Sequence, residues 1–361
     1  MISTVRPNQR HYGIIRKEIE NLIVSTGFAV LSPNLKKVNP EYLYWYLTQD
    51  SIVNYLQSIA ETSTSAYPSI KPSVIGGLEI DLPKLEEQKA IANILSTLDE
   101  KIETNNQINE KLEEMAQALF KHWFVDFEFP NENGEPYKSS GGEMVESELG
   151  MIPKGWKIEK IGDIADIQNG YAFKASEYVE KGVRVLRTLN INDKGYFDNQ
   201  NIVYLPSNYN NKKFEKYFFE KYDLALVMVG ASIGKTGIIL ENTKGALQNQ
   251  NMWRFRTKRN DIPQLFLINV VKQAQKISQN WSTGSAREFY RKDSFSKIKV
   301  LIPNNILLER YNSLVFPIFE KISFNTQEND RLMSIRDSLL PKLMSGEIRV
   351  PLDNETFVEQ S

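Results

Sequence analysis

The chain has 361 residues, of which 41% are hydrophobic and 25% charged, with a formal net charge of −1 and no cysteine. This length predicts two or three domains with buried cores, and the lack of cysteine excludes disulfides, thiol nucleophiles and cysteine-containing zinc sites. No apolar run approaches the ~20 residues that cross a bilayer, so we expect a cytoplasmic protein without a membrane partner.

Residues 1–83 are expected to form a small domain of balanced charge, because they carry 7 basic and 7 acidic side chains. The two histidines, His11 and His122, lie far apart in the sequence and have no carboxylates at ligand spacing. Neither a metal site nor a Ser-His-Asp triad is therefore predicted. The side chains of this segment that could contact DNA are Arg6, Arg10, Ser65 and Lys71.

Residues 84–128 predict a long helix. Apolar residues from Ile91 to Trp123 recur in alternating steps of four and three, which is the seam of a coiled coil. Residues 84–150 carry 15 acidic and 6 basic side chains, so we expect the helix to expose an acidic face that docks a partner. The residues of this face are Glu110, Glu113 and Glu114.

Residues 129–155 are rich in glycine, serine and glutamate and predict a flexible linker. Residues 156–303 carry 24 basic and 14 acidic side chains, a charge balance typical of a polyanion-binding domain. Short apolar runs broken by Gly and Asn predict mixed strands there, and the spacing over 263–278 predicts a helix capped by Asp261 or Asn260. We expect an α+β domain with a twisted, largely irregular sheet.

The stretch 230–236 resembles a phosphate-binding loop, but Val229 stands where that motif needs its first glycine. From Gly237 the sequence continues as a strand, so no helix N-terminus would face the phosphates and nucleotide binding is not predicted. The expected role is a turn that touches a DNA phosphate through Ser232 and Lys235.

Basic and amide side chains cluster at loop-like positions of 156–303. Arg reads guanine, and Asn or Gln reads adenine, by paired hydrogen bonds in the major groove, although many such side chains contact only phosphates or water. We predict that the DNA-reading residues belong to this set. Its members are Arg184, Arg187, Asn190, Asn192, Gln248, Asn249, Gln250, Asn251, Arg287, Tyr290, Arg291 and Lys292.

An internal repeat joins the two halves of the chain. Residues 98–119 align without a gap with 318–339, an offset of 220, so residues 304–348 predict a second seam helix. Pro317 is expected to kink this helix, and Arg336 to extend its charge to solvent. A helix of about 40 residues spans ~60 Å, or about 18 base pairs, so the helices could act as a ruler.

Each seam carries two asparagines at matching positions, Asn105 with Asn109 and Asn325 with Asn329. A buried amide costs stability but disfavours other registers. Because copies related by a pseudo-two-fold axis bring their midpoints together, we predict antiparallel helices with their asparagines paired. The alternative is two unrelated amphipathic helices with solvated asparagines.

Three motifs carry a resemblance to a known family. Residues 148–156 read ELGMIPKGW, the Leu-Pro at 82–83 precedes Glu-Glu-Gln at 86–88, and SLLPKL at 338–343 precedes Gly-Glu-Ile at 346–348. In combination they resemble the specificity subunit of type I restriction-modification systems. They look like that family's entry into a target-recognition domain, its entry into a conserved helix and its C-terminal close.

The resemblance implies an α+β fold with two pseudo-repeated target-recognition domains, joined by two long conserved helices that form an antiparallel coiled coil. Each domain would read half of a split site in double-stranded DNA. The helices would dock two methyltransferase subunits, and a motor-nuclease subunit would complete the system. No cofactor would bind here, because S-adenosylmethionine, ATP and Mg belong to those partners. The implied segments are 1–83, 84–128, 129–155, 156–303, 304–348 and a tail at 349–361.

The N-terminus departs from the family pattern. Residues 5–13 match 229–237, so a counterpart of 157–226 is missing and the first recognition domain is expected to be incomplete. The alternative is a half-specificity subunit that associates with a second copy, or is completed by another chain, to read a palindromic or split site. A stand-alone nuclease or methyltransferase would need a carboxylate cluster or cofactor loop that is not found. A pure coiled-coil adaptor would not need the basic segment.

Overall fold

The computed structural model describes residues 1–17, 20–63, 67–279 and 291–351. The chain divides into two compact units, each containing half of two long helices. The first unit comprises Met1–Asn105 and Glu328–Ser361, and the second comprises Asn106–Gln327. Within the described residues, no helix is long and apolar enough to cross a membrane.

The first unit has a small sheet and a helical layer. The strands β1 and β2 pair antiparallel, with Ile2 opposite Ala29. Asn39 begins the first helix by accepting a hydrogen bond from the backbone N–H of Tyr42, 3.0 Å away. The elements are β1 (Ile2–Ser3), β2 (Phe28–Ala29), α1 (Pro40–Thr48), α2 (Asp50–Glu61), α3 (Pro72–Gly76) and α4 (Leu85–Phe124), which continues into the second unit.

The second unit is rich in sheet. Its main sheet has the strand order β10-β9-β12-β6, a second has β11-β7-β8, and two strand pairs are β5-β13 and β3-β4. The strands are β3 (Met144–Ser147), β4 (Gly150–Pro153), β5 (Lys157–Lys160), β6 (Ala165–Asn169), β7 (Val183–Leu186), β8 (Val203–Leu205), β9 (Leu224–Val227), β10 (Thr236–Ile238), β11 (Leu247–Gln248), β12 (Met252–Thr257) and β13 (Lys299–Ile302). The helices are α5 (Ile161–Ile164), α6 (Gln264–Gln279), α7 (Lys292–Ser296) and α8 (Asn305–Met344), which continues into the first unit. The expected α+β fold is confirmed.

The two units repeat one pattern of strand pairing. β1 and β2 of the first unit pair in the register that β9 and β12 have 224 residues later. The bridge between Ile2 and Tyr12 likewise matches the pairing of β9 with β10. The corresponding pairs are Ile2–Ala29 with Leu226–Trp253, Ser3–Phe28 with Val227–Met252, and Ile2–Tyr12 with Leu226–Thr236.

The long helices α4 and α8 have 40 residues each, and their first residues lie 220 positions apart. In the first unit, Leu95 of α4 packs with Leu343 of α8. In the second unit, Phe124 near the end of α4 packs edge-on against Tyr311 near the start of α8, with ring centroids 4.8 Å apart. In each unit the helices therefore run antiparallel, as predicted.

α8 runs unbroken from Asn305 to Met344 through Pro317, and the kink expected at this proline stays a prediction. One expectation about α8 needs correction. Arg336 does not extend to solvent, because its guanidinium binds Asp99 of α4 at 2.6 Å and Asp337 at 2.8 Å. A position that interrupts the apolar seam is thus held by an ion pair across the helices.

The prediction of a flexible linker over 129–155 is wrong. Residues 144–153 form the hairpin β3-β4. The ring of Phe129 stacks on Tyr137 at 4.5 Å and on Trp156 at 5.5 Å, and both Phe129 and Trp156 belong to the main core. These aromatic contacts outweigh the local preference of the Gly- and Ser-rich stretch for disorder.

Candidate nucleic-acid interface

The turn between β9 and β10 has the form that the sequence predicted. The N–H of Gly234 donates to the carbonyl of Val227 at 2.9 Å, and β10 then pairs antiparallel with β9. A strand follows the loop in place of a helix, so this turn lacks the helix N-terminus that a nucleotide-binding loop requires. Ser232 is exposed, and the ammonium of Lys235 lies 3.6 Å from the carboxylate of Asp193.

Arg184 and Arg187 bind backbone carbonyls of their own domain. Arg184 donates from Nη1 to the carbonyl of Asn242 at 2.6 Å and from Nη2 to that of Lys244 at 2.7 Å. Arg187 donates from Nη2 to the carbonyl of Asn201 at 2.7 Å. Both guanidinium groups therefore hold loops of the domain in place.

Asn190 and Gln248 are fully buried. The amide of Asn190 donates to the carbonyl of Gln200 at 2.6 Å, and that of Gln248 donates to the carbonyls of Gln168 and Met252 at 3.1 and 2.9 Å. Buried amides that satisfy backbone groups stabilise a fold. In this structure neither is positioned to read a base edge.

The loop from Asn249 to Asn251 joins β11 to β12 and presents its amides outward. Gln250 and Asn251 are exposed, and Asn251 adopts a left-handed backbone with φ of 72°. A Cβ on Gly170 would lie 1.8 Å from the carbonyl oxygen of Asn249, so only glycine fits beside this loop. The close approach fixes the loop, which keeps exposed amides on a rigid support.

Other predicted contacts have mixed settings. Asn192 accepts hydrogen bonds from the N–H groups of Lys194 and Tyr196 and so shapes its own turn. Arg291 is exposed, directly before α7, while the ammonium of Lys292 donates to the carbonyl of Ile167. The remaining candidates, which lie outside the described residues, are Ser65, Arg287 and Tyr290.

The basic candidates of the first unit are exposed. The guanidinium of Arg6 lies 4.7 Å above the ring of Tyr67, and that of Arg10 binds the carboxylate of Asp50. Lys71 is exposed directly before α3. Since Arg10 already has an acidic partner, Arg6 and Lys71 are the better placed of the three for a phosphate.

The four seam asparagines form the same amide pair once in each unit. In the first unit Asn105 donates from Nδ2 to Oδ1 of Asn329 at 2.9 Å. In the second unit Asn325 donates from Nδ2 to Oδ1 of Asn109 at 2.8 Å. All four side chains are buried. Their role in setting the helix register stays a prediction.

The acidic face predicted on α4 needs correction at one residue. Glu110 and Glu114 are exposed, but Glu113 is largely buried against the rest of the second unit, where it meets the hydroxyl of Tyr196. Burial raises the pKa of the Glu113 carboxyl, and the hydrogen bond from Tyr196 and the charge of Lys272 only partly oppose that rise. The exposed part of the face is therefore Glu110 with Glu114.

Sequence reasoning missed three lysines. Lys194, Lys272 and Lys276 join the predicted Lys235 around one cleft of the second unit. The lysines come from three separate segments, so spacing in the sequence could not group them. Within the described residues, no group of three or more His, Cys, Asp or Glu side chains is arranged to hold a metal ion.

Comparison with known proteins gives one consistent result. The family model for the type I restriction modification DNA specificity domain matches residues 8–114 and 153–306. One matched segment lies in each half of the chain.

Individual relatives agree with the family match. The type I restriction enzyme HindI specificity subunit of Haemophilus influenzae is 27% identical, over 96% of this chain and 86% of that protein. The MjaIX specificity subunit of Methanocaldococcus jannaschii is 30% identical, over 91% of this chain and 73% of that protein. The solved S subunit of a type I restriction-modification system from M. genitalium is 19% identical, covers 86% of this chain and 74% of that chain, and has a TM-score of 0.53, which supports the fold.

Proposed function

This chain belongs to the type I restriction-modification DNA specificity family, and we propose that it is the subunit that selects the DNA sequence in such a complex. The observation that carries the proposal is the match of the family model to both halves of the chain, at 8–114 and 153–306. Two related domains suit a bipartite site, because each can read one half of it.

The second unit supplies the reading surface in this proposal. Its exposed polar side chains are Gln250 and Asn251 between β11 and β12, Ser232 between β9 and β10, and Arg291 before α7. Amides and guanidinium groups can make paired hydrogen bonds to base edges, while Ser232 suits a phosphate. The residues 156–303 have an excess of ten positive charges, which attracts the DNA backbone.

The chemistry of the system is assigned to partner subunits. We infer that this chain binds no S-adenosylmethionine, ATP or Mg, that methyltransferase subunits modify adenine, and that a motor-nuclease subunit cleaves. The paired helices are the proposed dock for two methyltransferase subunits. For this contact α4 presents a mixed acidic and apolar surface, made of the exposed side chains of Glu110, Glu114 and Met115. We place the complex in the cytoplasm, where its DNA substrate lies.

The first experiment maps adenine methylation in a genome that expresses this chain with its methyltransferase subunit. We expect a split motif of two different half-sites. A palindrome built from one half-site would favour assembly of two copies in which only the second domain reads DNA. Absence of any methylated motif, with the complex assembled, would contradict the proposal.

A second experiment locates the reading surface. Gln250→Ala and Arg291→Ala should each weaken binding to the mapped site by about tenfold, because one good base contact contributes ~1–3 kcal/mol. Fluorescence anisotropy with the mapped duplex measures this loss. Lys181→Ala is the control, since it removes an exposed charge of the same unit outside these loops. Unchanged affinity in both test variants would remove these loops from the reading surface.

A further inference from the structure

A cleft lined by four lysines opens on the second unit. It is bounded by the turn at 192–195, by the start of β10 and by the last turns of α6, and it encloses about 310 Å³. Lys194 comes from the turn, Lys235 from the β9-β10 loop, and Lys272 with Lys276 from α6. Three segments distant in sequence therefore direct ammonium groups to one place.

Two carboxylates face these lysines. Asp193 is fully exposed and lies 3.6 Å from Lys235 at the rim. Glu113 approaches from α4 and acts on both Lys272 and Lys194. With both carboxylates ionised, four positive charges face two negative ones, so the cleft keeps a net charge of about +2.

Lys272 distinguishes the cleft from a cluster of exposed surface lysines. Its side chain is largely buried, and this burial lowers the pKa of its ammonium. Lys276, one turn further along α6, repels it, and Glu113 is the carboxylate that acts on it within the described residues. A buried cation is costly unless an anion compensates it, and the open side of the cleft is where an anion can enter.

The chemistry of the cleft favours a phosphate diester over a nucleotide. Lysine ammonium groups bind phosphate as point charges and do not discriminate between bases. The lining consists of Asn, Asp, Lys, Gly, Thr and Gln side chains, so it offers no aromatic ring on which a base could stack. The β9-β10 turn at its edge lacks the helix N-terminus of a nucleotide-binding loop.

We propose that this lysine cleft holds one phosphate of the DNA backbone and thereby positions the second unit on its half-site. The inference rests on the proposed function, because it names a backbone contact of the same DNA complex. A phosphate held by Lys272 and Lys276 fixes the register of the domain on the duplex, while the loops at Gln250 and Arg291 read the bases. Loss of the contact should therefore weaken binding to every sequence equally.

The test uses the full chain and a 30-base-pair duplex of mixed sequence, with binding measured from low to moderate salt. Each phosphate contact contributes about 0.9 to the slope of log affinity against log salt. Lys272→Met should lower the magnitude of that slope by about 0.9 and weaken binding. Lys276→Met should act in the same direction. Lys181→Met is the matched control, because it removes an exposed lysine that does not line the cleft.

The cleft assignment and the proposed function fail on different results of this test. If the wild-type chain binds the duplex and Lys272→Met leaves the slope unchanged, the cleft assignment fails while DNA recognition stands. An equal loss in Lys181→Met would also overturn the assignment, since the effect would then be general charge. If the wild-type chain binds no DNA, the proposed function itself fails.

The alternative occupant of the lysine cleft is a free anion in place of a DNA phosphate. Inorganic phosphate titrated into the full chain, followed by the amide NMR signals of 192–195 and 235–236, detects binding of a free anion. Tight phosphate binding that Lys272→Met abolishes, with the DNA slope unchanged, would identify a free-anion site and overturn the proposal. Thermal melting checks that the variant is folded before its slope is compared with that of the wild type.

Discussion

The residues of β12 and their counterparts in the first unit differ sharply in burial. In the second unit, β12 lies between β9 and β6, and both Arg254 and Phe255 on it are buried. The matching residues of the first unit are Val30, which is 60% exposed, and Leu31, which is half-buried. They line an open groove of about 600 Å³, since the described part of 1–83 contains no counterpart of β6.

The register of a strand and the burial of a strand have different causes in the two units. The first unit keeps the pairing of β1 with β2 although that pairing covers only two residues of each strand. Register thus follows from the local pattern, while burial of the residues beyond it depends on a strand that lies on the other side. The difference predicts unequal stability for equivalent positions.

The largest expected effect compares Phe255 with Leu31. Phe255→Ala should destabilise the second unit by about 3–5 kcal/mol, because it empties a fully buried site. Leu31→Ala should destabilise the first unit by only about 1 kcal/mol, since that side chain borders the open groove. Hydrogen exchange followed by mass spectrometry, read separately on peptides of each unit, measures both losses.

Equal losses at the two positions would break the comparison, because they would show that the groove is closed in solution. Val30→Ser is a useful third variant. It should leave the exchange of both units unchanged, since Val30 is mostly exposed.

The next effect tests whether the two amide pairs are equivalent. Replacing both members of one pair, Asn105→Leu with Asn329→Leu, should raise the melting temperature by a few degrees, whereas Asn105→Leu alone should lower it. The single change leaves Oδ1 of Asn329 without the hydrogen bond that Asn105 gives it. Differential scanning calorimetry measures both shifts.

The cost of the double replacement should be a loose register. The chain has no cysteine, so Asp99→Cys with Arg336→Cys introduces two thiols at positions that face each other across the helices, and a bifunctional maleimide can link them. The yield of this cross-link should fall in the Leu–Leu background. The pair Asn109 and Asn325 should behave alike in the second unit. An unchanged yield in both would remove register control from the asparagines.

The smallest effect depends on pH. Burial raises the pKa of Glu113 in the folded chain above its ordinary value of 4.5. The folded state therefore binds this proton more tightly than the unfolded state, and the stability gained is present below pH 4.5 and lost as pH rises through the folded pKa. Glu113→Gln should raise the melting temperature slightly at pH 8 and have almost no effect at pH 4.

The matched control for this prediction is Glu110→Gln, which removes an exposed charge from the same helix. A larger gain at pH 4 than at pH 8 for Glu113→Gln would reverse the sign and contradict the burial of its carboxylate. Thermal melts at both pH values decide between these results.

The sequence predicted those features that depend on local periodicity. The heptad spacing and the ungapped repeat predicted two long antiparallel helices, because an apolar stripe must be covered by another. The course of the β9-β10 turn was also predictable, since Gly237 begins a strand-like run. The ordered structure of 129–155 was missed, because Phe129 and Tyr137 lie within the glycine-rich stretch and pack with each other and with Trp156 only in the folded chain.

The site was less predictable than the fold. Gln248 and Asn190 are residues of the type that can read a base, but their amides donate to backbone carbonyls that only the folded chain brings near. Lys272 lies on a mostly apolar helix, and its neighbours in the cleft come from two other segments. Whether a polar side chain is exposed depends on the tertiary structure. Spacing in the sequence alone could therefore not separate residues that are free to contact DNA from residues that stabilise the fold.

The matched helices have a consequence for how new specificities arise. α3 and α7 begin 220 residues apart, as do α4 and α8, so each recognition domain enters its helix through the same junction. The amide pairs lie within the helices and not in the domains. A single recombination event that exchanges one domain at this junction can therefore replace half of a target sequence and leave the scaffold and its register unaltered.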